Sequence, residues 1–282
     1  MAGAGRSGGA RLASRASDRL TRGRKAGDEP GRLAADRPSR REKAIGNQRP
    51  RLPFRVRTLL AIQLEVLFAR TPSGELLATR DPTPRAAPRV FVGRSVDGNV
   101  WALRADLAPG TKAELSRLLA AEPPVAPERD AGLRCRERIL DLLGAAREVR
   151  GPAYVLGDAL PHGDQAREIT RSDLDRCRHA FPWLAEELEA VAPVAVAFCG
   201  DEPAAICHAP RGVTAAAAEA GVETLPRFRR RGLATAAVAC WARAVQRSGR
   251  LALYSTSRQN RASLALARRV SAHPYGENWQ VT

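Results

Sequence analysis

The run Arg229-Arg-Arg-Gly232-Leu-Ala234 stands between two segments of different period, and few folds accommodate that order. Before it, Ala218 to Leu225 reads as an apolar strand. After it, Leu233, Ala237, Trp241, Ala244 and Val245 form one apolar stripe of a helix reaching about Arg247. A strand that turns through a basic loop into an amphipathic helix is one half of an α/β unit. The turn also suits a pyrophosphate. The first N–H groups of a helix lack intrahelical partners, and the helix dipole adds positive charge there. Gly232 lets a phosphate approach the backbone closely, and Arg229, Arg230 and Arg231 add direct charge.

The rest of the chain is consistent with such a unit. Leu251 to Ser255 reads as a second strand, and Asn260 to Val270 as a second helix, with Leu264, Ala267 and Val270 facing inward. Upstream, Ala153–Leu156, Val194–Phe198 and Ala204–His208 are strand candidates, and Pro274–Val281 is a last one. Ser172 is expected to cap a helical region reaching about Val191. The fold class is α/β, an α+β mixed sheet with helices on both faces.

The first half carries a separate pattern. Leu60, Leu64 and Leu67 recur at helical spacing, Gly74 to Thr79 reads as a strand, and Asp97-Gly98 marks a hairpin. Thr111 and Glu114 have the spacing of a capping box for a helix to about Ala121. A further helix is expected over Leu133 to Val149. Residues 58–149 therefore read as a small α+β domain, preceding a second domain over 150–282.

Charge is uneven along the chain. The net charge is +16, yet residues 1–57 hold 16 Arg and Lys against 5 Asp and Glu. Residues 1–55 lack apolar period and are expected to be a disordered basic tail. Arginine outnumbers lysine 43 to 3, a bias that reads as coding preference and disfavours nucleic acid as a partner. The five cysteines form no C-x-x-C pair and the four histidines are scattered, so no metal site is expected. Without an apolar run of membrane-spanning length or a signal-peptide core, no membrane association is expected and the cytoplasm is the default location.

The ordered set of strand, Arg229-x-x-Gly232-x-Ala234, helix, strand and Asn260-x-x-Ser263 resembles the GCN5-related N-acetyltransferase (GNAT) superfamily, over about residues 150–282. Gly221-Val-Glu-Thr-Leu and Tyr254-Ser-Thr-Ser-x-x-Asn-x-Ala-Ser look like a bacterial branch with an extra N-terminal domain. The resemblance implies the GNAT acyl-CoA N-acyltransferase fold, binding of acetyl-CoA as co-substrate, and acetyl transfer to an amine, most broadly a small molecule. It implies that backbone groups at Thr224 and Leu225 hold the pantetheine arm or thioester carbonyl. The pyrophosphate falls to Arg229, Arg230, Arg231, Gly232, Leu233 and Ala234, and Asn260 and Ser263 contact the cofactor across the cleft.

Direct attack by an amine needs a proton acceptor. Glu219 and Glu223 share a strand face by alternation and are the candidate bases. Many family members carry a tyrosine seven residues after the Asn position, as acid toward the thiolate; here that position is Ala267. Tyr275 and Ser263 are alternative donors, and a catalytically inactive CoA-binding regulatory protein is the competing reading. His208 and the thiols of Cys207 and Cys240 are read as structural.

Overall fold

The computed structural model describes residues 55–126, 131–144 and 147–282. The basic tail expected to be disordered lies, up to residue 54, outside the described residues. Helix α1 (Val56–Leu67) buries Leu59, Leu60, Leu64 and Leu67, as its spacing demands. It runs directly into β1 (Phe68–Arg70), which pairs antiparallel with β2 (Leu76–Thr79). Strands β3 (Val90–Ser95) and β4 (Gly98–Leu103) make the hairpin expected at Asp97-Gly98.

Two helices differ from the sequence expectation. Helix α2 (Pro109–Ala120) starts ahead of Thr111, because Pro109 occupies a first-turn position where its missing N–H is harmless. No side chain caps it, and Glu114 pairs with Arg117 instead of closing a box with Thr111. Helix α3 (Arg136–Leu143) ends at Gly144, and Glu148–Leu156 is strand β5. The expected helix overlaps this strand at Glu148 and Val149, where pairing with Val281 and Gln280 of the last strand overrides the local helical pattern.

The second half continues with β6 (Ala166–Glu168), α4 (Leu174–Cys177) and α5 (Leu184–Glu187). The expected helical region thus breaks into single turns. Its cap is Thr170, boxed with Asp173, in place of Ser172. Then follow β7 (Ala195–Cys199), β8 (Glu202–His208), β9 (Ala217–Glu219) and β10 (Gly221–Thr224). Helix α6 (Leu233–Arg247), β11 (Leu251–Ser255), α7 (Arg261–Arg269) and β12 (His273–Val281) complete the chain.

Besides the β1-β2 pair, two larger sheets form. One, wholly antiparallel, runs β10-β8-β7-β6, and the other, mixed, runs β4-β3-β12-β5-β11-β9. In the larger sheet β9 is parallel to β11, and β5 is antiparallel to both β11 and β12. The boundary expected near residue 150 therefore falls inside β5. Strands from 58–149 and from 150–282 share one sheet, and the described residues of both belong to one compact unit.

Helix α6 lies against one face of both sheets. Trp241, Ala237, Val238 and Val245 pack there with Ala205, Cys207, Ala252 and Tyr254. Helix α1 covers the opposite face of the larger sheet, against Ala153, Val155, Leu253 and Tyr275. Helices α4 and α5 cover the opposite face of the smaller one, against Val196 and Ile206. A buried charge cluster pins the connection into α7. Glu277, 1% exposed, accepts from Arg258 at 2.8 Å and pairs with Arg94 at 3.4 Å, while Arg94 reaches Glu122 at 3.2 Å.

Candidate active site

The strand read as continuous from Ala218 to Leu225 is divided between the two sheets. Ala217, Ala218 and Glu219 pair with Leu251, Ala252 and Leu253 of β11. The amide of Ala220 makes one more bond, to the Leu253 carbonyl at 2.9 Å. From Gly221 onward the chain leaves β11 and pairs with His208, Cys207, Ile206 and Ala205 of β8. The crossing is tight at Gly221, where a Cβ would stand 2.8 Å from Pro210 Cγ and 3.2 Å from His208 Nε2. A wedge therefore opens between β10 and β11. These strands leave the junction in the same direction, so the helices that follow them, α6 and α7, both begin at the open end.

The α6 terminus has the character of an anion site. Gly232 is its N-cap at φ 83°, a left-handed conformation that favours glycine. Its carbonyl accepts from Thr235 and Ala236 at 2.9 and 3.2 Å. Among the described residues, the amides of Leu233 and Ala234 have no backbone acceptor. The space a Gly232 side chain would fill is open, and Arg229, Arg230 and Arg231 are exposed beside it. Arg229 Nε donates to the Thr224 carbonyl at 3.3 Å, drawing the loop onto the strand end. Arg231 instead leans toward Cys199 Sγ at 3.4 Å. Leu225 donates to Ala204 at 3.0 Å, which fixes the turn below Thr224.

Across the wedge, Asn260 caps α7 by accepting from the Ser263 amide at 3.0 Å. The Ser263 hydroxyl is hydrogen-bonded to the phenol of Tyr254. That phenol is 2% exposed, and burial pushes its pKa up to about 12, with the Ser263 bond working the other way. Ala267 is fully buried under α7, so its methyl is core. Tyr275 is also fully buried, but in the α1 cluster on the other face, with its hydroxyl unpartnered.

The two candidate bases occupy different settings. Glu219 is 3% exposed at the apex of the wedge, facing α1. Gln63 donates to its Oε2 at 2.7 Å and Ser255 donates to its Oε1. Glu223 sits further out on β10, opposite Ile206, and is exposed. Sequence reasoning missed Gln63 and the role of Ser255. Gln63 belongs to α1, in the half of the chain where no catalytic group was expected, and Ser255 meets Glu219 only through strand pairing.

Other titratable groups are structural in setting. His208 stacks against Trp183 at 4.8 Å, and burial holds its pKa down at about 4. Cys207 faces α6 fully buried, and burial raises its pKa well above the ordinary thiol value. All five cysteines are free. Among the described residues no group of three His, Cys, Asp or Glu side chains is placed to hold a metal. No helix among them is long and apolar enough to cross a membrane.

Two cavities flank these elements. One, of about 380 Å³, lies under the α1 face and includes Glu219, Ser255, Arg211 and Asn278 in its lining. The other, of about 490 Å³, involves Arg167, Arg176, Phe198 and Arg231 beyond α6, and includes none of the wedge residues of β9, β10 or β11.

No family model and no curated protein matches the chain. Solved structures do. The chain is similar to a GCN5-related N-acetyltransferase-like protein from Streptococcus suis, at 15% identity over 70% of this chain and 85% of that one, TM-score 0.40. It is similar to a GCN5-related N-acetyltransferase from Sphaerobacter thermophilus, at 16% identity over 76% and 78%, TM-score 0.41. A tandem GNAT protein from the clavulanic acid biosynthesis pathway matches at 13% identity over 80% and 87%, TM-score 0.39.

Proposed function

We propose that this chain is an acetyl-CoA-dependent N-acetyltransferase of GNAT type, acting on a small amine. The observation that carries the reading is the divergence of β10 from β11 at Glu219, with two helix N-termini at the open end and a buried carboxylate at the apex. An extended pantetheine arm would lie where these parallel strands separate, beside Thr224. Leu225 is not free to hold it, because its N–H is taken by the Ala204 carbonyl and its own carbonyl by the Phe228 amide. The left-handed turn at Gly232, with open space and two unpaired amides beside it, fits a pyrophosphate.

When bound, acetyl-CoA supplies an activated acyl group on sulfur; the chain supplies the rest. Glu219, held by Gln63 and Ser255 with its carboxylate fixed in orientation, accepts a proton from the acceptor's ammonium. Amide N–H groups at the strand end polarise the carbonyl under attack. The hydroxyl of Ser263, linked to Tyr254, stands at the α7 terminus as donor toward the departing thiolate. Overall, one amide bond forms and one thioester bond breaks. The ammonium releases one proton to solvent and one to the thiolate.

The experiment is a calorimetric titration of the full chain with acetyl-CoA, followed by thiol release with a panel of amines. Absence of binding at millimolar ligand sinks the proposal. Binding without turnover on any amine would favour a non-catalytic CoA-binding protein, the reading that Ala267 supports.

A further inference from the structure

The 380 Å³ cavity on the α1 face is built for a particular kind of amine. Glu219 and Ser255 form its inner end, and the cofactor-binding features lie at the α6 and α7 termini across the sheet. Leu67, Phe68 and Phe91 contribute an apolar wall. Two polar atoms lining this space are buried and unsatisfied: Asn278 Oδ1 and Arg211 Nε. The first is an acceptor without a donor. The second makes no hydrogen bond, and Asp81 Oδ1 faces it at 3.6 Å. Leaving buried polar atoms under-partnered is costly, and a ligand with complementary groups reduces the cost.

Charge specifies the ligand further. Arg211 makes no hydrogen bond among the described residues; its one ionic contact is with Asp81 at 3.6 Å. Arg85, also lining the cavity, approaches the same Asp81 at 3.3 Å. Two guanidinium groups share one carboxylate, so the mouth keeps a positive excess. The inner end is negative at Glu219. A cavity that is negative within, positive at its mouth and apolar along one wall matches a zwitterion with an apolar side chain.

We infer that the acceptor is a free α-amino acid with an apolar side chain, its ammonium at Glu219 and its carboxylate on Arg211. The guanidinium fork can take a carboxylate through two parallel bonds, which an amine lacking that group cannot use. This inference rests on the acyltransferase reading for the transfer step, but binding to the cavity can be measured without it.

The full chain is titrated with leucine and phenylalanine, and with isoamylamine and phenethylamine, the same skeletons without the carboxylate. Saturation-transfer NMR in the absence of acetyl-CoA reads binding, and thiol release with acetyl-CoA reads turnover. The amino acids are expected to bind and to exceed the matching amines in kcat/KM by about 100-fold. Arg211→Gln should remove that advantage while leaving the amines within about threefold. Arg85→Gln, at an exposed side chain that can be changed without threatening the fold, should reduce the advantage partially. Amino acids that bind in an Arg211-dependent way to a protein that ignores acetyl-CoA would uphold this inference and overturn the acyltransferase reading. Acetyl-CoA binding with equal turnover of amines and amino acids, or equal loss on both in R211Q, would overturn this inference and leave the other standing. Failure of both amino acids to bind also overturns it.

Discussion

Ser255 and Glu219 come from parallel neighbouring strands, and the serine hydroxyl donates to one carboxylate oxygen of the glutamate at the point where the strands part. Gln63 holds the other oxygen from α1, so the carboxylate is aimed by both halves of the chain. Glu219→Gln is expected to lower kcat/KM by about 10²–10⁴ with acetyl-CoA affinity unchanged, as loss of a proton acceptor does. Glu223→Gln, at an exposed position, should change kcat/KM less than threefold by the same reasoning. Steady-state thiol release with matched calorimetry decides both; equal losses in the two variants would remove Glu219 from its role.

Gly232 should report on affinity and stability separately. No atom lies within 4 Å of a Cβ added there, so Gly232→Ala meets no clash. Its φ of 83° still imposes about 1–2 kcal/mol on any L-residue. Urea melts should show that loss. The methyl also fills the space open to a phosphate, so the dissociation constant for acetyl-CoA should rise by about tenfold or more, an effect of at least 1.4 kcal/mol. An unchanged constant would place the pyrophosphate elsewhere.

His208 gives the fold an acid sensitivity. Burial lowers its pKa to about 4, below the ordinary 6.5. The unfolded chain therefore binds the proton more readily between those values, and stability present above pH 6.5 is lost as pH falls toward 4. The full effect is on the order of 3 kcal/mol at most. His208→Gln should flatten the stability profile over that window in denaturant melts at a series of pH values. A profile as steep as that of the parent chain would assign the sensitivity to other groups.

Tyr254 acts at the opposite end of the scale. Its folded pKa near 12 exceeds the ordinary 10, so the folded state keeps the proton longer. Its contribution is intact below pH 10 and declines as pH rises toward 12. Tyr254→Phe should lessen the loss of stability in that range and, by unlinking Ser263, lower kcat more than it raises KM. A pure KM effect would make the pair a binding element alone.

Glu277→Gln tests the buried cluster behind α7. It leaves Arg94, 2% exposed, without one of its two carboxylates. A cost of about 3–5 kcal/mol is expected, as for other broken buried pairs. Loss of the Arg258 contact should also loosen the turn before Asn260. Chemical denaturation measures the first effect, and amide exchange at residues 256–263 the second.

The parts of the cleft written in local order were legible in the sequence. Strand, basic turn, Gly232 and α6 follow one another without interruption, and each has its own periodicity or backbone requirement. The residue at which the strand leaves its neighbour was not legible, because Ala218 to Leu225 alternates smoothly across the point where it changes sheets. That change depends on pairing with β8 and on the tight approach at Gly221. Strand β5 was legible only in part. Ala153 to Leu156 reads as a short strand, but Glu148 and Val149 read locally as the end of a helix, and their pairing with β12 puts them in the strand. Gln63, Arg211 and Asn278 reach the same site from α1, a loop and β12, at sequence distances no local pattern spans.

The placement of β12 makes it the seam of the larger sheet. β12 pairs with β3 on one side and β5 on the other, and thereby joins two groups of strands, β3 with β4 and β5 with β11 and β9. Helix α1 lies across that joined sheet, and from it Gln63 reaches the carboxylate at the apex, while Ser255 reaches it from β11. A chain cut before His273 would therefore keep the whole phosphate-binding turn and lose the continuous floor on which the helix that aims the base is seated.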